Sequence, residues 1–64
     1  MKNILAFLRK QMGLSQESLA EKLGISRQQL SNYENDKSYP SFENQIKIER
    51  LFNKNIKEIF LVKP

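Results

Sequence analysis

A set of polar side chains in the middle of the chain recurs at the spacing of one helix face. Arg27 stands directly before this set, which follows the i, i+3, i+4, i+7 pattern and consists of Gln28, Ser31, Asn32 and Asn35. Gln and Asn amides can pair bidentately with adenine, and the Arg guanidinium can pair in the same way with guanine. Such a face suits hydrogen bonding to base edges in a DNA groove, although an ordinary solvated helix face would show the same pattern.

The helix that carries this face has clear local signals at its start. Gly24 ends the preceding helix, because glycine takes the left-handed conformation at no steric cost. Ser26 and Gln29 have the spacing of a capping box, and such a cap contributes ~1 kcal/mol. Leu30 and Tyr33 lie on the opposite side from the polar face. The pattern therefore predicts an amphipathic helix that begins after Ser26 and presents its polar face outward.

The preceding segment predicts a second short helix. Ser15 is its N-cap, and Glu17 lies in the first turn, where the helix dipole favours an anion. Gln16 lies at the helix start, where backbone N–H groups and a side-chain amide can hold a phosphate, although a plain surface residue fits the same position. The inward stripe is Leu19, Ala20 and Leu23. The connection between the two helices has the length typical of a helix-turn-helix.

Residues 14–40 resemble the helix-turn-helix of the phage-repressor and Cro superfamily, including the small bacterial regulators of the xenobiotic-response-element type. The matching string covers residues 13–35 and reads GLSQESLAEKLGISRQQLSNYEN. The similarity continues through Phe52-Asn53 and residues 56–60, which resemble the closing helices of the family. The resemblance implies an all-α, compact, five-helix lambda-repressor-like domain, with the helix-turn-helix at helices 2 and 3.

The resemblance also implies roles for individual residues. The positions that meet base edges in the family are matched by Arg27, Gln28, Ser31 and Asn32. The positions that contact the sugar-phosphate backbone are matched by Gln16, Asn35, Lys37 and Ser38. A partly buried salt bridge that joins helix 1 to the end of helix 3 in relatives is matched by Arg9 and Glu34. That pair is expected to be structural, and the loss of one partner alone should be costly.

Three residues depart from the family pattern. Asp36 stands where the family usually has glycine in a left-handed conformation, which Asp tolerates better than most residues. The turn is therefore expected to be kept, with some strain. Glu49 and Lys54 occupy positions that are usually small or apolar, and they are expected to alter packing at helix 4 and at the corner between helices 4 and 5.

Composition limits the classes of function. Residues 1–64 are expected to form one small domain, whose core supplies only ~3–5 kcal/mol unless association adds to it. The sequence contains neither Cys nor His, and it shows no Ser/His/Asp set and no phosphate-cradling glycine-rich loop. We therefore expect no enzyme activity, no metal site, no cofactor and no evident small-molecule ligand. The net charge of +4 favours DNA or another polyanion as partner.

The sequence also indicates where the protein acts. No apolar run approaches the ~18 residues that span a bilayer, so no membrane association is expected. The apolar part of residues 1–8 is too short for a signal peptide. A cytoplasmic protein, encoded by a bacterium or a phage, is the expectation.

The remaining apolar residues outline the frame. The first helix should end at Gly13, with an inward stripe of Ile4, Leu5, Leu8 and Met12. Ser41 is expected to cap helix 4, and Asn55 with Glu58 forms a second capping-box pattern at helix 5.

Apolar residues crowd the C-terminal end of the chain, namely Phe52, Ile56, Ile59, Phe60, Leu61 and Val62. Closure of the core against Ile4 and Leu8 is one explanation. The explanation we favour is a two-fold dimer interface, which relatives of this size commonly form through this region. Such a dimer would place two copies of helix 3 in successive major grooves, on half-sites ~10 bp apart.

These expectations combine into a sequence-specific regulator of double-stranded DNA, expected to be a homodimeric transcriptional repressor on a pseudo-palindromic operator. Activation from another promoter position is equally compatible with the residues. One alternative is the DNA-binding antitoxin of a toxin–antitoxin pair. Another is a protein-interaction module without a DNA role, which the polar face of helix 3 disfavours because protein interfaces usually have a more apolar centre.

Overall fold

Five α helices make up the fold in the computed structural model, which describes residues 3–60. They are α1 (Leu5–Gln11), α2 (Gln16–Leu23), α3 (Arg27–Glu34), α4 (Phe42–Phe52) and α5 (Ile56–Ile59). Over the same residues, the pairing of β type is an isolated antiparallel bridge between Asn3 and Phe60. The predicted all-α, five-helix architecture is confirmed.

The helices α2 to α5 begin at the residues that local capping rules select. The hydroxyl of Ser15 accepts a hydrogen bond from the backbone N–H of Ser18, and Ser26 and Ser41 cap α3 and α4 in the same way. Asn55 and Glu58 form a complete capping box at α5. Gly24 ends α2 in the left-handed conformation, with φ of 71°. These short helices are therefore bounded by side chains close to them in the sequence.

The core gathers apolar side chains from every helix. Its buried members are Leu5, Leu8, Leu19, Ala20, Leu23, Leu30, Tyr33, Ile48, Ile59 and Phe60. Met12 was expected on the inward stripe of α1, and this prediction is wrong because Met12 is 46% exposed. It lies at the C-cap of α1, where the chain already turns towards α2. Leu14, beyond the turn, packs against the core instead.

The C-terminal end of the described chain closes this core. The backbone N–H of Ile4 donates to the carbonyl of Ile59 at 2.9 Å, which holds the two ends of the fold together. Ile59 is fully buried and Phe60 is 6% exposed. The Phe60 ring also packs edge-to-face against Tyr39, with ring centroids 5.3 Å apart.

The burial of Ile59 and Phe60 agrees with closure of the core, the alternative to the dimer interface that the sequence favoured for them. They lie in the interior of the monomer, where they cover apolar surface of α1 and of the residues just before it. Phe52 and Ile56 are half-buried and pack against the core from its edge. Leu61 and Val62, expected in the same interface, lie outside the described residues.

Glu49 has a defined role at the corner between α4 and α5. Its Oε2 accepts the backbone N–H of Ile56 at 2.7 Å, so the carboxylate satisfies a donor at the start of α5. Asn53 lies between the helices with φ of 54°, a left-handed conformation that Asn tolerates. Lys54 is exposed, and its backbone N–H donates to the carbonyl of Glu49. The charge at position 49 thus fixes the corner rather than disturbing it.

Candidate nucleic-acid interface

The geometry of α2 and α3 places one polar surface on the outside of the molecule. Only residues 24–26 separate the two helices, and the contact between them is made by buried apolar side chains, including Ala20, Leu23 and Leu30. The small side chain of Ala20 permits a close approach of the helices. Since Leu30 and Tyr33 point into the core, the opposite side of α3 must face outward.

The four residues predicted to read bases lie on this outward side. Arg27 and Gln28 are exposed, and Ser31 and Asn32 are half-buried. The Gln28 Nε2 donates to the Asn32 Oδ1 at 3.1 Å, one helical turn away. This hydrogen bond leaves the carbonyl oxygen of Gln28 and the amide N–H groups of Asn32 to meet an outside partner. An acceptor and donors therefore stand next to each other, as pairing with a base edge requires.

The predicted backbone-contacting loop continues this surface beyond the end of α3. Asn35, Lys37 and Ser38 are all exposed. The Asn35 Nδ2 donates to the Ser31 Oγ at 3.2 Å, and the backbone N–H of Lys37 donates to the Asn32 carbonyl at 2.8 Å. The loop is thereby folded back onto the end of α3. The outer side of α3 and the residues 35–38 together form one polar surface, which we call the α3 face.

Asp36 adopts the left-handed conformation that the sequence predicted, with φ of 61°. This conformation is uncommon for residues other than glycine, although Asp and Asn enter it more readily than most. The Asp36 backbone N–H donates to the Tyr33 carbonyl at 3.2 Å. The turn that follows α3 is therefore kept without glycine.

Gln16 joins the α3 face to the interior. Its Nε2 donates to the Glu34 Oε1 at 2.9 Å, and its Oε1 lies 3.4 Å from the Nη1 of Arg27. One side chain at the start of α2 thus contacts both the last residue of α3 and the first. A second N–H on the same Nε2 remains for a phosphate oxygen.

Arg9 and Glu34 form the ion pair that the family resemblance implied. The Arg9 Nε lies 2.7 Å from the Glu34 Oε2, and the two side chains are 11% and 5% exposed. The Arg9 Nη1 also donates to the Leu14 carbonyl at 2.9 Å. Glu34 therefore receives donors from α1 and from α2, and its fixed carboxylate orients Gln16.

Sequence reasoning missed Asn3. This residue is 1% exposed, and its Nδ2 donates to the Tyr33 carbonyl at 3.0 Å and to the Asp36 Oδ1 at 2.7 Å. Its Oδ1 accepts the backbone N–H of Leu5 at 2.9 Å. An Asn just before a helix is a usable local signal, since Asn side chains often bond backbone N–H groups two residues on. The contacts with residues 33 and 36 have no local signal.

The described part of the chain holds no group of three or more His, Asp or Glu side chains placed to bind a metal ion. Across residues 3–60, no helix is both long enough and apolar enough to cross a bilayer.

Comparisons with known proteins agree on one family. A family model described as helix-turn-helix matches residues 5–59. An uncharacterised HTH-type transcriptional regulator of Methanocaldococcus jannaschii is 43% identical over 61 residues, which cover 95% of this chain and 92% of that protein. Two HTH-type transcriptional regulators of Archaeoglobus fulgidus are 38% and 36% identical over 53 residues, which cover 83% of this chain and 76% and 75% of those proteins. The resemblance inferred from the residues is thereby confirmed.

Proposed function

The chain belongs to the helix-turn-helix family of transcriptional regulators, and we propose that it acts as a homodimeric repressor that binds a pseudo-palindromic operator in double-stranded DNA. In this proposal α3 enters the major groove. Occupancy of promoter DNA then excludes polymerase. The sign of regulation depends on where the operator lies, and an operator that overlaps the polymerase site gives repression.

One observation supports the proposal most directly, namely the α3 face itself. Its residues are exposed or half-buried, it is polar and free of large apolar side chains, and its amides present donors and acceptors side by side. A groove-reading surface needs this arrangement, because each base edge offers its own set of donors and acceptors in the major groove. A protein-binding surface usually has an apolar centre instead.

The residues of the α3 face, together with Gln16 at the start of α2, divide into two tasks in this proposal. Base edges are contacted by Arg27, Gln28, Ser31 and Asn32. Phosphates are contacted by Gln16, Asn35, Lys37 and Ser38. The first group lies along one helix, while the second group flanks it at the start of α2 and in the loop after α3. Phosphate contacts on both sides of a helix fix its register and orientation in the groove.

The homodimer is proposed to form through the C-terminal edge of the fold. Phe52 and Ile56 are half-buried apolar residues at that edge, and Leu61 and Val62 follow α5 in the sequence. A second copy would cover the parts of Phe52 and Ile56 that the core leaves in water. Two-fold symmetry then predicts an inverted repeat with half-sites ~10 bp apart.

A binding selection from random duplex DNA tests this function, followed by a salt titration of binding to the enriched sequence. We expect enrichment of an inverted repeat with half-sites about one helical turn apart. A tenfold excess of random duplex should compete poorly. Enrichment of a single half-site would contradict the dimer alone, whereas sequence-blind binding that disappears at physiological salt would contradict base reading and leave only the basic charge.

A further inference from the structure

The side chain of Asn3 connects three parts of the fold from a buried position. Its amide N–H groups reach the Tyr33 carbonyl at 3.0 Å and the Asp36 carboxylate at 2.7 Å, and its oxygen accepts the N–H of Leu5. At 1% exposure, Asn3 is the most buried of the polar side chains described between residues 3 and 60. A buried amide is kept only where its hydrogen bonds are satisfied, so these contacts fix its position.

The position of Asn3 is itself held by the closed end of the fold. Its backbone pairs with Phe60 in the antiparallel bridge, and the next residue, Ile4, donates to the Ile59 carbonyl at 2.9 Å. Ile59 and Phe60 belong to the core. The amide that reaches Asp36 is therefore anchored to the interior and does not move with the loop.

Asp36 is the partner for which this contact matters most. It adopts φ of 61° at the point where the α3 face turns into its loop, between Asn35 and Lys37. Without glycine, this turn costs strain energy, and a fixed contact must hold it. Asp36 is exposed, and its carboxylate is a negative charge next to residues proposed to contact phosphates, where it repels DNA. The hydrogen bond to Asn3 holds the Oδ1 against the buried amide.

We propose that Asn3 is a positioning residue for DNA binding: through Asp36 it holds the left-handed turn and so aims Lys37 and Ser38 at the phosphate backbone. This inference rests on the proposed function, since it assigns to Asn3 the geometry of a loop that contacts DNA. Asn3 makes no contact with DNA itself. Its contact with Asp36 acts on the loop, so the loss of that contact should change phosphate contacts and leave base preference unchanged.

Variants that exchange the side chains of Asn3 and Asp36 distinguish the positioning role of Asn3 from a general loss of stability. Asn3→Asp places two carboxylates against each other and should push the turn outward. Asp36→Asn keeps a hydrogen bond between two amides, tolerates the left-handed conformation and removes a negative charge near the phosphates. The double variant Asn3→Asp/Asp36→Asn restores the hydrogen bond between positions 3 and 36 with donor and acceptor exchanged, while the Tyr33 carbonyl stays without its donor. It should therefore recover part of the binding lost in Asn3→Asp.

The measurement is the dissociation constant for one duplex as a function of salt concentration, for each variant at a temperature where circular dichroism shows it folded. The salt slope counts the phosphate contacts that release counterions, at about 0.9 per contact. We expect Asn3→Asp to bind more weakly, with a slope shallower by about one unit because Lys37 disengages. The slope of the double variant should lie closer to that of the wild type than the slope of Asn3→Asp does. Ile48→Val is the control, since it weakens the core without touching the loop.

Each outcome decides a separate claim. Wild-type protein that binds no duplex overturns the proposed function, and the role of Asn3 falls with it. Wild-type protein that binds, with equal slopes in all folded variants, overturns the role of Asn3 alone. If Asn3→Asp does not fold, Asn3→Ala takes its place, and a wild-type slope in folded Asn3→Ala overturns the inference. An equally shallow slope in Ile48→Val overturns it as well, because the effect would then follow stability.

Discussion

The α2–α3 unit and the closing end at α5 were both outlined from the sequence, yet only the first is arranged as expected. In the α2–α3 unit, the polar residues assigned to the surface lie there, and the apolar residues between them are buried. At the closing end, the sequence favoured an interface between copies for Ile59 and Phe60 over closure of the core, and both side chains lie in the core. A polar side chain without a hydrogen-bond partner must stay in contact with water. An apolar side chain gains equally from burial in its own core or against a second chain, so its sequence position does not distinguish the two.

The two regions also differ in what holds them together. The α2–α3 unit is tied to α1 through charge and amide contacts centred on Glu34, which accepts from Arg9 and Gln16. The closing end is held by apolar burial around Ile59 and by backbone pairing of residues 3 and 4. Substitutions in the two regions should therefore differ in kind, and the following experiments use that difference.

The largest effect is expected from Glu34→Ala. This change leaves the Arg9 guanidinium buried without its carboxylate, which costs about 3–5 kcal/mol. That loss is comparable to the whole stability expected of a domain of this size, so the variant should be largely unfolded. Urea unfolding followed by circular dichroism measures it. The double variant Arg9→Met/Glu34→Leu, which removes both charges, should recover much of the loss, and equal instability of both variants would contradict this explanation.

The next effect distinguishes core from interface at α5. Ile59→Ala removes a fully buried side chain and should cost about 2–5 kcal/mol, whatever the protein concentration. Ile56→Ala removes a half-buried side chain at the proposed dimer edge. Its effect should shrink as the protein is diluted, because stabilisation by dimer formation follows mass action and disappears for both proteins at concentrations below their dissociation constants. Thermal unfolding over a range of concentrations makes the comparison.

A concentration dependence confined to Ile59→Ala would reverse these assignments. Equal melting temperatures of the wild-type protein at all concentrations would contradict the homodimer itself.

Local signals explain why so much of the α2–α3 unit was predictable. The Ser15 and Ser26 caps and the left-handed Gly24 each depend on residues within one helical turn, and each is present. The family resemblance added what local rules do not supply, namely the Arg9–Glu34 pair and the positive φ at Asp36. The Arg9–Glu34 pair joins residues that are far apart in the sequence, and Asp36 replaces the glycine that the family usually has at its position.

Long-range contacts explain the features that local sequence signals did not predict. The burial of Ile59 depends on Ile4, and the burial of Asn3 depends on Tyr33 and Asp36. Neither contact leaves a periodic pattern, because the partners are separated by most of the chain or by three helices. Met12 continued the apolar stripe of α1 by its spacing, but the helix ends at the residue before it.

The roles of the α3 face in binding DNA remain predictions, and two substitutions test them.

Gln28→Ala should weaken specific binding by about 1–3 kcal/mol and relax sequence preference at one position of each half-site. The amide of Gln28 is exposed and bonded only to Asn32 among residues 3–60, so the fold should be unaffected. Binding to random duplex should change little, since that term comes from phosphates. Gln29→Ala is the matched control, because Gln29 is an exposed neighbour outside the i, i+3, i+4, i+7 set. An equal loss from both variants would remove Gln28 from base reading.

The smallest effect on affinity is expected from Lys37→Ala, and its signature is a defined change in the salt dependence of binding. A lysine that neutralises one phosphate contributes about one unit to the slope of log affinity against log salt, on every sequence alike. Lys57→Ala removes the same charge from an exposed residue of α5 that is not part of the α3 face, and so controls for net charge. If both variants shallow the slope equally, the basic charge acts only through the overall field of the protein. If only Lys37→Ala does so, the loop after α3 contacts the backbone, and base reading and positioning are separate tasks within one surface.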